Sequence, residues 1–319
     1  MIISSACSQN EKKYQLEGET QGTYFHITYY GQEDYSKEID SLLEDFDAIA
    51  SVYNKKSLIS KINSNEDVDV SEIFSEIFNL GIAVSEKTDG AFDFTIAALA
   101  NAWGFGPDKS NSPDSSAVDS LLSLVDYKKI RIENNKVIKD NPSIQLDFNA
   151  IAKGYSVDLI GKFLSEKNIA SFLIEIGGEV LTKGQKPDGK DWIIGIEKPS
   201  ESANSPQQAQ SRIAISNKAI ATSGNYRNYY EKDGKRYAHT INPKTGYPVE
   251  HSLLSVTVIA NDCATADAYA TAFMVMGKDK ALSLAESIKD IEIYLIYYDA
   301  EEKLNKIAMS SAFEDYIID

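Results

Sequence analysis

The order of strand-like and helix-like segments limits the folds open to this chain more than any other feature. Residues 22–30 (GTYFHITYY) are dense in aromatic and β-branched side chains, the composition of a strand. Apolar residues then recur every three or four positions across 36–53 and 70–90, predicting two amphipathic helices, the second capped by Ser71 and stopped by Gly90. Short strands are predicted in KKIRI, KVIK and SIQLDF, then a helix over about 152–167, then a buried strand, SFLIEI, running into Gly177 and Gly178. WIIGIEKP, RIAIS, AIATS, KRYAHT and LLSVTVIA extend the strand series. Helices near 262–276 and 279–288 precede a last strand, IEIYLIYY. Strands therefore come in clusters with helices between the clusters. That pattern favours an α+β fold, with largely antiparallel sheets and flanking helices, over a doubly wound parallel sheet. No repeat or long linker forces a cut, so residues 20–319 read as one domain.

Charge narrows the function. With 48 acidic against 32 basic residues the net charge is −16, which excludes a general nucleic-acid binder because such a protein carries a basic stripe. An anionic substrate would meet a repelling field and would need a local cation or a bound metal. The two cysteines supply neither a disulfide framework nor a zinc pattern. Cys263 lies inside an apolar helical pattern and reads as a small buried thiol. The start, MIISSACSQNEKK, looks like the tail of a bacterial lipoprotein signal with Cys7 as the lipidated residue. Ser4 stands where Leu is usual, and no basic region precedes it. Residues 1–19 are accordingly read as a signal remnant and polar tether, which implies a lipid-anchored protein of the bacterial envelope facing the periplasm. No other run is long enough to cross a bilayer.

Several segments could carry chemistry. In CATADAYATAF, Asp267 and Thr271 are four apart and share a helix face. Among alanines, a carboxylate and a hydroxyl offer the hard oxygens that Mg²⁺ accepts. The same pair also fits an Asp favoured by the helix dipole and a Thr bonded back to a carbonyl. In LDFNAIAKGYSVD, Lys153 falls in the expected first turn of a helix, where it opposes the dipole; an anion at that helix start would account for it, and so would a simply solvated lysine. Thr222, Ser223 and Gly224 make a small-residue turn with two hydroxyls for phosphate oxygens, or a simple β-turn. GAFDFTIAALANAWGFGP combines Asp93 and Thr95 with Trp103 and Phe105, which suit either a core or a flat aromatic ligand. IEIGGEV has paired glycines but no dinucleotide fingerprint spacing. Of the three histidines, His26 and His251 read as structural, while His239 precedes the punctuated turn INPKTGYP and suits either a satisfied packing residue or a base near neutral pH.

Together, and in this order, these elements resemble the ApbE family of flavin transferases. The resemblance rests on Gly22-Thr23, SVYNKKSLISKIN, GAFDFT with WGFG, DFNAIAKGYSVD, IEIGGEV, PDGKDWIIGIEKP, ATSGNYR, HTINPKTGYPV and ADAYATAF, over roughly residues 20–277. It implies an ApbE-like, T-fold-like architecture and an enzyme that cleaves the FAD pyrophosphate with Mg²⁺. FMN is then attached to a Thr or Ser of a target protein, such as a subunit of a membrane redox complex, and AMP is released. Carried over by motif, Asp267, Thr271 and the Ala150 carbonyl are the implied metal ligands. The implied FAD contacts are Gln21, Tyr53, Ala91, Phe92, Asp93, Asp147, Lys153 and Ile241, with Thr222 and Ser223 beside them, and His239 is the implied catalytic residue. Asn149 departs from the family's usual Gly. If that position needs a positive φ, Asn is the next most tolerant residue. FAD hydrolysis to FMN and AMP, and a flavin-binding lipoprotein without turnover, are the competing expectations.

Overall fold

The aromatic and β-branched runs become strands, and most of them join one sheet. The computed structural model describes residues 11–107, 113–199, 208–225, 229–232, 235–238 and 240–318. The chain begins β1 (Lys12–Thr20), β2 (Thr23–Gly31), α1 (Ser36–Ala50), α2 (Leu58–Asn63), α3 (Glu72–Lys87), α4 (Ala97–Ala102), α5 (Ser115–Leu122), β3 (Ile130–Glu133) and β4 (Lys136–Lys139). It continues α6 (Asn149–Glu166), β5 (Phe172–Ile176), β6 (Glu179–Lys183), β7 (Trp192–Glu197), β8 (Ala209–Ile215), β9 (Ala219–Gly224), β10 (Tyr229–Lys232) and β11 (Lys235–Ala238). It ends β12 (Leu253–Ala260), α7 (Cys263–Met276), α8 (Lys278–Ala285), β13 (Glu292–Asp299) and β14 (Leu304–Met309). Strands β1, β2, β5, β6, β9, β12, β13 and β14 form an eight-stranded sheet in that order, every neighbouring pair antiparallel. The fold is α+β, as the clustering of strands implies.

Three expectations change. Residues 12–19, read as tether, belong to edge strand β1, in register with β2 from Lys12↔Gly31 to Thr20↔Thr23. Its alternation is hidden by polar residues. Only Tyr14 and Leu16 reach the core below, and Gln21 and Gly22, both at positive φ, make the two-residue turn. SIQLDF is not a strand: Gln145 makes one isolated bridge to Ile96, and the Asp147 N–H bonds to the Phe94 carbonyl as the chain turns into α6. Strand β14 was not foreseen, because LNKIAM is short and largely solvent-facing.

Both faces of the sheet are covered. Alternation along β12 sends Val256, Val258 and Ala260 into the core that holds Phe74 and Phe273, and sends Ile259 to the opposite core with Ile196, Ile213 and Phe313. This explains the nearly continuous apolar run LLSVTVIA. Helices α6 and α7 pack on the first face and the β7–β8 ribbon on the second. Each fully buried large side chain there contributes roughly 1.5–3 kcal/mol.

The crossing of α6 and α7 positions the site. A Cβ at Gly154 would lie 2.3 Å from the Cys263 carbonyl oxygen, so glycine lets the two backbones touch. Asp158 of α6 accepts the Cys263 and Ala264 N–H groups at the start of α7, both at 2.8 Å, and Asp262 caps α7 through the Thr265 N–H. Cys263 is fully buried, and its thiol is lifted well above its ordinary pKa by burial.

Candidate active site

A cleft of about 680 Å³ opens where α6, α7, the β5–β6 turn and the loop after α3 converge. Asp267, Thr271 and Ala150 all line it. The i,i+4 spacing on α7 aligns the first two, and the α6–α7 crossing brings the start of α6 beside them. Asp267 is 6% exposed, and its Oδ2 accepts the Gly154 N–H at 3.1 Å. One carboxylate, one hydroxyl and one carbonyl are donors suited to Mg²⁺, which completes its shell with water and phosphate oxygens. The donor set fits.

Lys153 lies one turn deeper than expected, because α6 starts at Asn149. The helix start is already served by Asp147, whose Oδ1 accepts the Asn149 N–H at 2.8 Å. Asn149 is helical and has no positive φ, so the departure from Gly at this position imposes no turn strain. Lys153 points instead to the buried Glu179 at 2.7 Å, with Asp267 at 3.8 Å. Burial works against the ammonium charge, but the Asp267 and Glu179 carboxylates hold Lys153 above its usual range. Burial also lifts Glu179, against the pull of Lys153.

The remaining residues divide. Ala91, Phe92, Asp93, Asp147, Thr222, Ser223 and Ile241 line the cleft. Both Asp93 carboxylate oxygens are engaged within the chain: Oδ1 accepts the Thr95 N–H and hydroxyl at 2.9 and 2.6 Å, and Oδ2 accepts the Tyr127 N–H at 2.9 Å. Asp93 therefore braces the loop, and burial raises its pKa despite those bonds. Burial likewise raises Asp147. Thr222 shares a hydroxyl bond with Thr257 at 2.8 Å.

Gln21 and Tyr53 are not among the cleft-lining residues. Gln21 donates to the Ser156 hydroxyl at 2.8 Å. Tyr53 is 59% exposed, and its phenol is raised by partial burial and by the charge of Asp147 at the cleft's edge. His239, like Cys7, lies outside the described residues. Its flanks are defined: Thr240 and Ile241 line the cleft, and Ile241 bridges Pro248 across the turn. That turn is anchored by Trp103 Nε1 donating to the Gly246 carbonyl at 2.8 Å and by the Lys244–Asp89 ion pair. Trp103 is core; Phe105 lines the cleft.

The other two histidines differ in their surroundings. His26 sits 3.7 Å from Glu175 on the sheet. His251 Nδ1 accepts the Leu253 N–H, so Nε2 donates to the Met274 carbonyl at 2.7 Å.

Sequence reasoning missed Glu179. Gly177 and Gly178, at φ +61° and +103°, form the two-residue β5–β6 turn, and Glu179 is the first residue after it. The paired glycines were the available signal, since a hairpin tip delivers its flanking side chains to one place. Ile193 and Ile194 of β7, also on the cleft wall, carried no signal beyond strand propensity.

Comparison with known proteins places the chain in a family. A model of the ApbE family matches residues 21–295. The chain is 37% identical to the FAD:protein FMN transferase of Haemophilus influenzae, with 92% of this chain and 88% of that one covered. The structure superposes on the flavin transferase ApbE from Vibrio cholerae with a TM-score of 0.85 at 36% identity, covering 96% of this chain and 99% of that one. It superposes on the apo form of the Pseudomonas stutzeri flavinyl transferase ApbE with a TM-score of 0.86 at 32% identity, covering 96% and 97%. A family-model match over residues 21–295, with a relative 37% identical over 92% of the chain, makes this chain a member of the ApbE family.

Proposed function

We propose that this protein is an FAD:protein FMN transferase that works with Mg²⁺, moves FMN onto a Thr or Ser hydroxyl of a partner protein and releases AMP. The observation that carries the reading is the convergence of Asp267, Thr271 and Ala150 with Lys153 in one cleft of a chain whose curated relatives are named FAD:protein FMN transferase. The acidic surface repels a dinucleotide, and the oxygen donors of Asp267, Thr271 and Ala150 would hold the divalent ion that reverses this locally. Such an ion supplies charge neutralisation at the bridging phosphates.

In this reading the acceptor hydroxyl attacks the flavin-side phosphorus. A new oxygen–phosphorus bond forms, the bond from that phosphorus to the bridging oxygen breaks, and AMP leaves with the bridging oxygen. His239 takes the hydroxyl proton. Lys153 places a positive charge beside the reacting phosphates, and the Asp93 brace fixes the Ala91–Phe92 wall. An envelope location through a lipid on Cys7 belongs to the same proposal, with a membrane redox subunit as acceptor.

The test mixes the protein with FAD, Mg²⁺ and a target carrying a reactive Thr. Fluorescent flavin bound covalently to the target, with one AMP per flavin, is the expected result. No adduct and no AMP under any divalent metal would overturn the proposal, and free FMN formed equally without a target would make the protein a hydrolase.

A further inference from the structure

Glu179 leaves a chemical vacancy that the proposed substrate can fill. Its side chain is 5% exposed and lines the cleft. Oε1 receives the Lys153 ammonium at 2.7 Å. Oε2 is buried and has no hydrogen-bond partner among the described residues. Leaving such an oxygen without a donor costs about 1–3 kcal/mol, and more for a charged group, so buried polar atoms are nearly always satisfied. A donor that arrives with a ligand removes that cost.

Two kinds of ligand atom can be considered. A second cation beside Glu179 is disfavoured, because the Lys153 ammonium already occupies the space between Glu179 and Asp267, at 2.7 and 3.8 Å. Diphosphate oxygens only accept hydrogen bonds and would repel the carboxylate. In a flavin dinucleotide the groups flanking the diphosphate are polyhydroxylated chains, ribityl on one side and ribose on the other. Their hydroxyls are donors.

We infer that Glu179 contacts the substrate, with Oε2 accepting a hydrogen bond from a sugar-chain hydroxyl next to the diphosphate. The inference rests on the flavin-transferase reading. The Gly177–Gly178 turn fixes the backbone at this contact, and the Lys153 bond fixes the carboxylate. Charged hydrogen bonds are about twice as strong as neutral ones, so the contact discriminates hydroxylated chains from bare alkyl ones.

The test titrates FMN and AMP separately into the wild-type protein and the Glu179→Gln and Glu179→Asp variants, with Mg²⁺ present and by calorimetry. Neither ligand contains the diphosphate bond that is broken, so neither reacts. Glu179→Asp retains the charge while retracting the oxygen, and it replaces Glu179→Gln if that variant unfolds. Loss of about tenfold in affinity for only one ligand supports the contact: FMN alone identifies ribityl, AMP alone identifies ribose. Equal loss for both, as a displaced Lys153 would produce, or no loss for either, overturns it. A wild-type protein that binds neither product nor FAD would instead overturn the transferase reading.

Discussion

Gly154 and Cys263 touch through their backbones: any Cβ on Gly154 would come within 2.3 Å of the Cys263 carbonyl oxygen. This contact, on helices 109 residues apart in sequence, determines where the first turn of α6 meets Asp267. Gly154→Ala must push the helices apart. The expected loss is about 1–3 kcal/mol of unfolding free energy, the usual cost of overpacking, together with weakened FAD binding. Denaturant titration and flavin-fluorescence quenching measure the two effects, and an unchanged unfolding midpoint would contradict the contact.

Asp267 both receives the Gly154 N–H and faces the cleft. Asp267→Asn keeps an acceptor for that N–H while removing the charge that holds the ion. AMP release should fall by more than the ~10–100-fold typical of groups that only support a metal ligand, with little change in melting temperature. Equal drops in stability with and without Mg²⁺ would make the aspartate structural.

The histidines should separate by phenotype. His239→Ala should bind FAD normally and lose transfer, the loss being about 10²–10⁴-fold for a missing proton acceptor. His251→Ala removes two hydrogen bonds that tie the end of α7 to the start of β12. It should cost about 1–3 kcal/mol of stability and leave the rate constant intact. Thermal unfolding beside steady-state AMP release distinguishes them, and the opposite assignment would reverse the roles.

Burial lifts Asp158 to about 7, although the Cys263 and Ala264 N–H groups pull the other way. In the unfolded chain it titrates near ~3.9. Between those values the folded state holds the extra proton, so this group's contribution is full below the unfolded pKa and is lost as pH rises through about 7. Unfolding free energy measured with a chelator present should therefore decline from pH ~4 to ~8. Asp158→Asn should flatten that decline. An identical pH profile in the variant would exclude Asp158 as the source.

Much of the site was legible because its chemistry is local in sequence. The i,i+4 spacing of Asp267 and Thr271 survives as a shared face on α7, and Ser71 caps the helix that follows it. Lys153 was placed against an anion at a helix start, whereas α6 begins earlier and its N-terminus already holds Asp147. Glu179 and β1 escaped notice for a common reason. The importance of each depends on what lies across space, Lys153 for one and β2 for the other.

Sequence alone determined the longer helices and the apolar strands, the acid-rich composition and the oxygen donors available to a cation, since periodicity, capping and charge act over a few residues. Only tertiary structure decided that those donors face one cleft, that Asp93 is used up as a brace and that Glu179 stands beside Lys153. Those outcomes depend on how closely two helices can cross and on which strand ends meet, and excluded volume between distant segments settles both.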